Sequence, residues 1–252
     1  MPIAMLDRER RRLMGALRAG GTAVGILWVL HLVRFLLGMP ARAWGIIPRE
    51  WSGLHGIISS PLAHADFGHL ANNSVPIFAT VVLLVYFFPR IAGRAMLQLY
   101  LLTGITVWLL ARGAGWGADV SISHVGASGV AYALVSFLFW LGVFKRSMQS
   151  IIVALVILFY FSGMIAGVLP DQLHVSWESH LLGGIVGMFV AWAFRSSLVR
   201  DIADEPPPPP LYQSEPFFPA DVFEYTRAER IEHERRRLEA ERLRRLKDWG
   251  GD

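Results

Sequence analysis

A serine and a histidine each stand at the beginning of an apolar segment of the chain. Ser128 lies in the sequence HVGASG of residues 124–129, and His180 lies in the sequence WESHLLGG of residues 177–184. Polar and ionisable side chains are costly in hydrocarbon and usually serve a function there. An imidazole that accepts the proton of a hydroxyl turns its oxygen into a nucleophile. The pair therefore predicts a serine nucleophile and its base, working inside a membrane.

The composition is that of a membrane protein. Hydrophobic residues form 54% and charged residues 17% of the 252 residues, and the mean hydropathy is +0.42, which is unlike a soluble domain. Because strand-like alternation is missing from the apolar segments, we expect an all-α integral membrane protein with a bundle of six transmembrane helices. The segments that approach the length needed to cross about 30 Å of hydrocarbon are residues 21–38, 69–88, 93–110, 128–144, 151–169 and 180–194.

The basic residues predict the orientation of this bundle. Lys and Arg concentrate at the segment ends on the same side as the N-terminus, and few lie in the loops of the other side. Because cytoplasmic loops carry the excess of Lys and Arg, we expect both termini in the cytoplasm of a multi-pass protein of the bacterial inner membrane. This charge accounts for the isoelectric point of 9.8, so no nucleic-acid partner is expected. A signal peptide cleaved near Ala43 is the less favoured alternative for the first segment, which is long and contains Arg34.

Three polar residues share one predicted depth in the membrane. Asn73, Ser128 and His180 lie on the second, fourth and sixth segments, all of which enter from the outer side. Each precedes the first basic residue at the cytoplasmic end of its segment by about 15 to 17 positions, which is roughly 22–25 Å of helix. We therefore expect these side chains to lie at one level, a few Å below the outer surface.

The fourth and sixth segments are too short to reach the outer surface as helices. Their approaches, residues 113–127 and 170–179, are therefore expected to enter the membrane as irregular backbone. Such backbone is tolerated at depth where protein buries it or where it lines a water-filled cavity. A hydrolase inside lipid needs that water, so the short helices favour a hydrolytic function.

Three motifs follow one another along these segments. In residues 64–73, HADFGHLANN, His69 precedes Asn73 by four positions; GASG of residues 126–129 is followed by Tyr132; and His180, Gly183 and Gly187 form the pattern His-x-x-Gly-x-x-x-Gly. In this order and on these helices, they resemble the motifs of the rhomboid family of intramembrane serine proteases. The resemblance covers about residues 20–197 and implies a bacterial-type core of six helices.

The resemblance implies a serine-type endopeptidase that needs no cofactor. By this resemblance, Ser128 is expected to attack the scissile carbonyl while His180 takes its proton, and water is expected to resolve the acyl-enzyme. The resemblance also implies that the Ser128 N–H, Asn73 and His69 stabilise the oxyanion and that Tyr132 stacks on the imidazole. Small residues let the fourth and sixth helices approach closely, a supporting role that falls to Gly126, Gly129, Gly183 and Gly187. The implied partners are the lipid bilayer and transmembrane protein substrates, which are cut near the outer face.

Two alternatives concern the same residues. A non-catalytic relative that binds or escorts transmembrane helices typically lacks the serine or the histidine, whereas this chain keeps both. A metal site is considered because five histidines fall toward the outer side, but carboxylates at ligand spacing are missing, so no metal is expected. Among these histidines, His64 and His124 are interpreted as solvated loop residues. The five are residues 64, 69, 124, 174 and 180.

One region departs from the family's pattern. Family members often carry a Trp-Arg pair in the first outer loop, whereas residues 45–53 read GIIPREWSG in this chain. No residue role is therefore transferred to this loop. Its Ile and Trp residues suit a position at the membrane interface.

The chain divides into four predicted regions. Residues 1–20 form a basic cytoplasmic segment, and residues 21–197 form the membrane domain. Residues 198–221 contain five consecutive prolines and predict a semi-rigid linker. Residues 222–252 mix Glu and Arg and predict a charged cytoplasmic helix. For this tail, a solvated helix and a helix that serves self-association or regulation both remain open.

Overall fold

The structure is a computed structural model that describes residues 3–113, 122–145, 148–169, 176–203 and 226–249. The chain divides into two units, residues 1–201 and residues 202–252. Within the described ranges the α-helices are α1 (Ile3–Leu36), α2 (Gly56–Ser59), α3 (Phe67–Phe87), α4 (Pro89–Leu110), α5 (Ser128–Lys145), α6 (Met148–Tyr160), α7 (Trp177–Ala203) and α8 (Arg227–Trp249). Short 3-10 helices cover Ala41–Trp44, Trp51–Gly53, Ser60–Leu62 and Ser162–Val168.

Four helices are long and apolar enough to cross a membrane among the described residues: Leu6–Leu36 within α1, and α3, α4 and α5. The expectation of an all-helical membrane protein is confirmed, and four of the six predicted spans are found as such helices. The fifth predicted span is divided into two elements. These are α6, which has 13 residues, and a 3-10 helix of 7 residues that follows it. The sixth lies within α7, a helix of 27 residues.

The first helix is longer than its apolar segment. α1 runs without interruption for 34 residues, so most of the basic segment 1–20 continues the helix of the first span. The Tyr86 hydroxyl donates to the Glu9 carboxylate at 2.9 Å, and the Trp28 indole donates to Ser74 at 3.0 Å. The start of α1 thus contacts the end of α3, and a later residue of α1 contacts an earlier residue of α3. The two helices are therefore antiparallel over most of their lengths.

α5 lies at the centre of the helical core. Its inward side chains Ala133, Phe137, Leu138 and Leu141 have no exposed surface. Large hydrophobic side chains on the outer helices stay exposed, as Val29, Leu97 and Phe189 show. Bilayer hydrocarbon is as apolar as a leucine side chain. Such exposed residues are therefore suited to contact lipid.

Glycines bring α7 against α5 at backbone distance. A Cβ atom added to Gly183 would collide with the Gly129 carbonyl, and one added to Gly187 would lie 2.8 Å from the Phe137 nitrogen. The neighbouring Gly184 has open space, with nothing within 4 Å of an added Cβ. In a membrane, close packing of this kind replaces the hydrophobic effect as a force that joins helices. Gly183 and Gly187 thus form the contact face of α7.

The irregular region between α1 and α3 is fixed by hydrogen bonds. Ile46 and His124 exchange two backbone hydrogen bonds of 2.9 Å, which tie this region to the approach of α5. The Arg49 guanidinium donates to the carbonyls of Leu109 and Ala111 at 3.2 and 2.7 Å, at the end of α4. These bonds satisfy carbonyl groups that a helix end leaves without partners. The loop that departs from the family's pattern therefore supports the fold.

The predicted irregular approaches lie partly outside the described residues, namely at 114–121 and 170–175. The described part, residues 122–127, is non-helical as expected. α7 begins at Trp177, so the last three residues of the approach predicted at 170–179 are helical instead. Glu178 at its first turn favours this earlier start, because it complements the helix dipole.

The second unit contains α8. The Thr226 hydroxyl and backbone nitrogen both donate to the Glu229 carboxylate at 2.7 Å, a capping box that begins the helix. The side chains described along α8 are almost all exposed, as a charged helix requires. Of the predicted linker, residues 204–221 lie outside the described part of the chain.

The glycine contact can be tested with neighbouring residues. We expect Gly183→Ala to lower the free energy of unfolding by about 1–3 kcal/mol, because the added methyl overpacks the contact with α5. Gly184→Ala should be neutral or slightly stabilising, since alanine is the better helix former. Thermal unfolding of both variants in the same detergent measures the difference. Equal stabilities would contradict the contact.

Candidate active site

A sharp turn places Ser128 at the first position of α5. Gly126 has a φ of 112°, and an added Cβ there would lie 2.6 Å from the His69 ring. Both the conformation and the space therefore require glycine. The Gly126 N–H donates to the Ser60 carbonyl at 2.9 Å, and the Ala127 N–H donates to His64 Nε2 at 3.3 Å. The two residues before Ser128 are thus both held by hydrogen bonds of their N–H groups. Ser128 itself is half-buried and follows this turn directly.

Two contacts orient the His180 imidazole. Its ring stacks on Tyr132 with a centroid distance of 4.2 Å and an interplanar angle of 8°. Its Nδ1 atom lies 2.8 Å from the Gly167 carbonyl oxygen. A carbonyl only accepts, so in the neutral ring Nδ1 carries the proton and Nε2 keeps a lone pair. A general base that accepts a proton at Nε2 needs this tautomer.

A single cavity joins the predicted polar residues. It has a volume of about 940 Å³, enough for a peptide segment and water. Its walls include all five polar residues to which the sequence assigned a role, namely His69, Asn73, Ser128, Tyr132 and His180. Three helices, α3, α5 and α7, supply these residues. The structure thus brings together side chains that lie up to 111 positions apart in the chain, from His69 to His180.

The serine and the histidine face the same cavity without a mutual hydrogen bond among the contacts of the described residues. Catalytic hydrogen bonds are often long in substrate-free enzymes and tighten in the substrate complex. Ser128 also begins α5, where the helix dipole favours negative charge. The position of Ser128 is therefore suited to a serine oxygen that gains negative charge.

The other side of the cavity offers hydrogen-bond donors. Asn73 is only 6% exposed, and its Nδ2 has no partner among the described residues. His69 lies one turn earlier on α3, where Asp66 caps the helix by accepting the His69 N–H at 2.8 Å. A buried amide without a partner is costly unless a ligand completes it. Asn73 is therefore a donor suited to an anionic oxygen.

The interpretation of His64 and His124 as solvated loop residues is wrong. His64 is completely buried and His124 is 4% exposed. His64 accepts the Ala127 N–H, whereas His124 contacts the Arg112 carbonyl at 3.2 Å and the Ser176 hydroxyl at 2.5 Å. Irregular backbone inside the protein needs such polar partners. Burial lowers the pKa of His124 below its ordinary value, which favours the neutral ring.

Glu178 is the carboxylate nearest to His180 in sequence, but it serves another contact. It pairs with the Arg112 guanidinium, which also lies 5.4 Å above the Trp177 ring.

Sequence reasoning missed the group that does hold His180, the Gly167 carbonyl. Every residue type has a backbone carbonyl, so the sequence does not mark this one. In the structure, the crowding around Gly167 marks its position. In the described parts of the chain, no group of acidic or histidine side chains could hold a metal ion.

The fold and the site define a helical membrane protein with a serine and a histidine that line a common cavity. Residues 51–197 match the sequence model of the Rhomboid domain, so the chain belongs to the rhomboid family. It is 32% identical over 180 residues to an uncharacterized protein of Mycobacterium bovis and to one of Mycobacterium tuberculosis, covering 68% of this chain and 72% of each relative. An uncharacterized protein of Mycobacterium leprae is 28% identical over 198 residues, 74% of this chain and 75% of that relative.

Buried His64 predicts a loss of stability in acid. Loss of solvation, with the nearby His69, His31 and Arg34, lowers its pKa from 6.5 to about 3. The unfolded chain therefore binds this proton at a higher pH than the folded protein. The free energy of unfolding should fall as the pH drops below about 6.5, by up to about 1.4 kcal/mol per pH unit from this group.

Thermal unfolding of the wild type and of His64→Gln between about pH 4 and pH 8 isolates the contribution of His64. The variant keeps an acceptor for the Ala127 N–H and should show a flatter pH dependence. His55→Gln is the control, because His55 is exposed. The same slope in wild type and His64→Gln would contradict the buried neutral state.

Proposed function

We propose that this protein is an intramembrane serine endopeptidase with a Ser128–His180 dyad. One observation carries the proposal: both residues line a single cavity, and the bond from His180 to Gly167 leaves Nε2 free to accept a proton. Family membership adds support, because rhomboid proteins are in general intramembrane serine proteases. The proposed class is therefore a hydrolase of peptide bonds in or near transmembrane segments.

The proposed reaction follows the chemistry of an acyl-enzyme. Ser128 Oγ forms a bond to the scissile carbonyl carbon while its proton passes to His180 Nε2. The carbonyl oxygen becomes an oxyanion, and Asn73, His69 and the Ser128 N–H stabilise it, each donor typically contributing several kcal/mol. His180 then protonates the leaving amine as the C–N bond breaks. Water then attacks the acyl carbon while its proton passes to His180. The bond from that carbon to Ser128 Oγ breaks, His180 returns the proton to Oγ, and the new carboxylate leaves.

The proposed substrates are transmembrane proteins with locally weak helices. A peptide bond inside a helix is shielded by the surrounding backbone and side chains, so the segment must unwind to reach Ser128. We further propose that both termini face the cytoplasm of a bacterial inner membrane and that the cavity opens toward the outer face. The excess of Lys and Arg on the N-terminal side supports this orientation.

Replacing the nucleophile tests the proposal. Ser128→Ala should abolish cleavage of a model single-span substrate in proteoliposomes, while expression and thermal unfolding stay close to those of the wild type. Ser52→Ala is the control, because Ser52 is an exposed serine outside the cavity. Cleavage that persists in Ser128→Ala would refute the nucleophile. A wild type that binds the substrate without cutting it would indicate a protein that only escorts transmembrane helices.

The C-terminal tail should be dispensable for the chemistry. All residues that line the cavity belong to the unit of residues 1–201, so removal of residues 206–252 is expected to leave the cleavage rate within about twofold, a negligible free-energy change. Cleavage and light scattering of the truncated and full-length proteins measure activity and oligomeric state. Loss of activity in a folded truncation would indicate a regulatory helix, and loss of oligomers alone would indicate self-association.

A further inference from the structure

One short segment holds both rings of the stacked pair in the cavity. The 3-10 segment, Ser162–Val168, follows α6. Its Gly167 carbonyl lies 2.8 Å from His180 Nδ1, and its Met164 carbonyl accepts the Tyr132 hydroxyl at 2.5 Å. Each ring is therefore tied to this segment by a hydrogen bond at its edge, while the two faces pack against each other.

The backbone around the segment explains why the Gly167 carbonyl is available. α6 ends at Tyr160, and the 3-10 segment ends in extended backbone at Leu169. The last carbonyls of a helix lack partners within the helix. Gly167 lies in the last turn of the segment, so its carbonyl can accept from outside. The end of the 3-10 segment therefore makes the Gly167 carbonyl available as an acceptor.

We infer that the 3-10 segment positions the catalytic base, with the Gly167 carbonyl in the place that a carboxylate occupies in three-residue serine-protease sites. This inference rests on the proposed dyad. The carbonyl selects the tautomer with the proton on Nδ1, and the stacked Tyr132 fixes the plane of the ring. Glu178, the carboxylate nearest in sequence, is paired with Arg112 instead.

The space around Gly167 fits this role. A Cβ added there would collide with the Tyr132 hydroxyl and lie 3.1 Å from His180 Nδ1. Gly163 lies in the same segment, but an added Cβ there would meet nothing within 4 Å. Only the glycine that carries the accepting carbonyl is thus crowded. The two positions offer a matched pair of substitutions.

Nitrogen NMR of the histidine rings tests the inference on the wild-type protein. In detergent-solubilised protein labelled with ¹⁵N-histidine, the His180 signals are identified by their loss in His180→Ala. We expect a protonated Nδ1 and a bare Nε2 in the neutral ring of the wild type and of Gly163→Ala. A bare Nδ1 in the wild type would overturn the inference, whether or not the protein cleaves substrates.

Kinetics of the matched variants give a second readout. Gly167→Ala should lower kcat about 100-fold with little change in KM, because a small displacement of the base is costly, and its NMR signals should show mixed tautomers. Gly163→Ala should stay within about twofold of the wild type. Tyr132→Phe keeps the stacked ring and should lose about tenfold in kcat, the effect of one hydrogen bond.

The outcomes separate the inference from the proposed function. Equal activity and equal tautomers in Gly167→Ala and Gly163→Ala would overturn the positioning role while the dyad stands. A wild type that never cleaves, but shows the protonated Nδ1, would refute the dyad and leave the contact intact. If Gly167→Ala fails to fold in thermal unfolding, the wild-type NMR signal alone decides.

Discussion

The close contact between α5 and α7 is the constraint on which the candidate active site depends. Ser128 begins α5 and His180 lies in the first turn of α7, so the distance between the helix axes sets the distance between the two side chains. Gly183, one turn after His180, meets the Gly129 carbonyl directly. A side chain at this contact would push the helices apart. Tyr132, one turn after Ser128, could then no longer stack on His180.

Irregular backbone near the site leaves polar groups inside the protein. Several buried side chains compensate for this. Arg34 donates to the carbonyls of Met39 and His64 at 2.6 and 2.7 Å, and His64 accepts from Ala127. These contacts connect the end of α1 to the turn before Ser128. Polar residues other than Ser128 and His180 are therefore part of what holds Ser128 in place.

The sequence predicted what depends on residue type and periodicity. The shared depth of Asn73, Ser128 and His180 followed from helix geometry, and the three residues do line one cavity. The division of the fifth predicted span was not predicted. Ser162 and Gly163 interrupt the apolar residues at the break, but whether such a pair ends a helix depends on tertiary contacts. The Gly167 carbonyl is invisible in sequence for the same reason. His64 and His124 were misjudged because burial of a loop depends on its neighbours.

The most direct test of the dyad is to map a fluorophosphonate adduct by mass spectrometry. An activated serine is phosphonylated by this probe, with loss of fluoride, whereas an ordinary hydroxyl reacts slowly. The dyad predicts one adduct on the peptide that contains Ser128 in the folded wild type, and its loss in His180→Ala. An unmodified Ser128 in the wild type, or equal modification in His180→Ala, would contradict it.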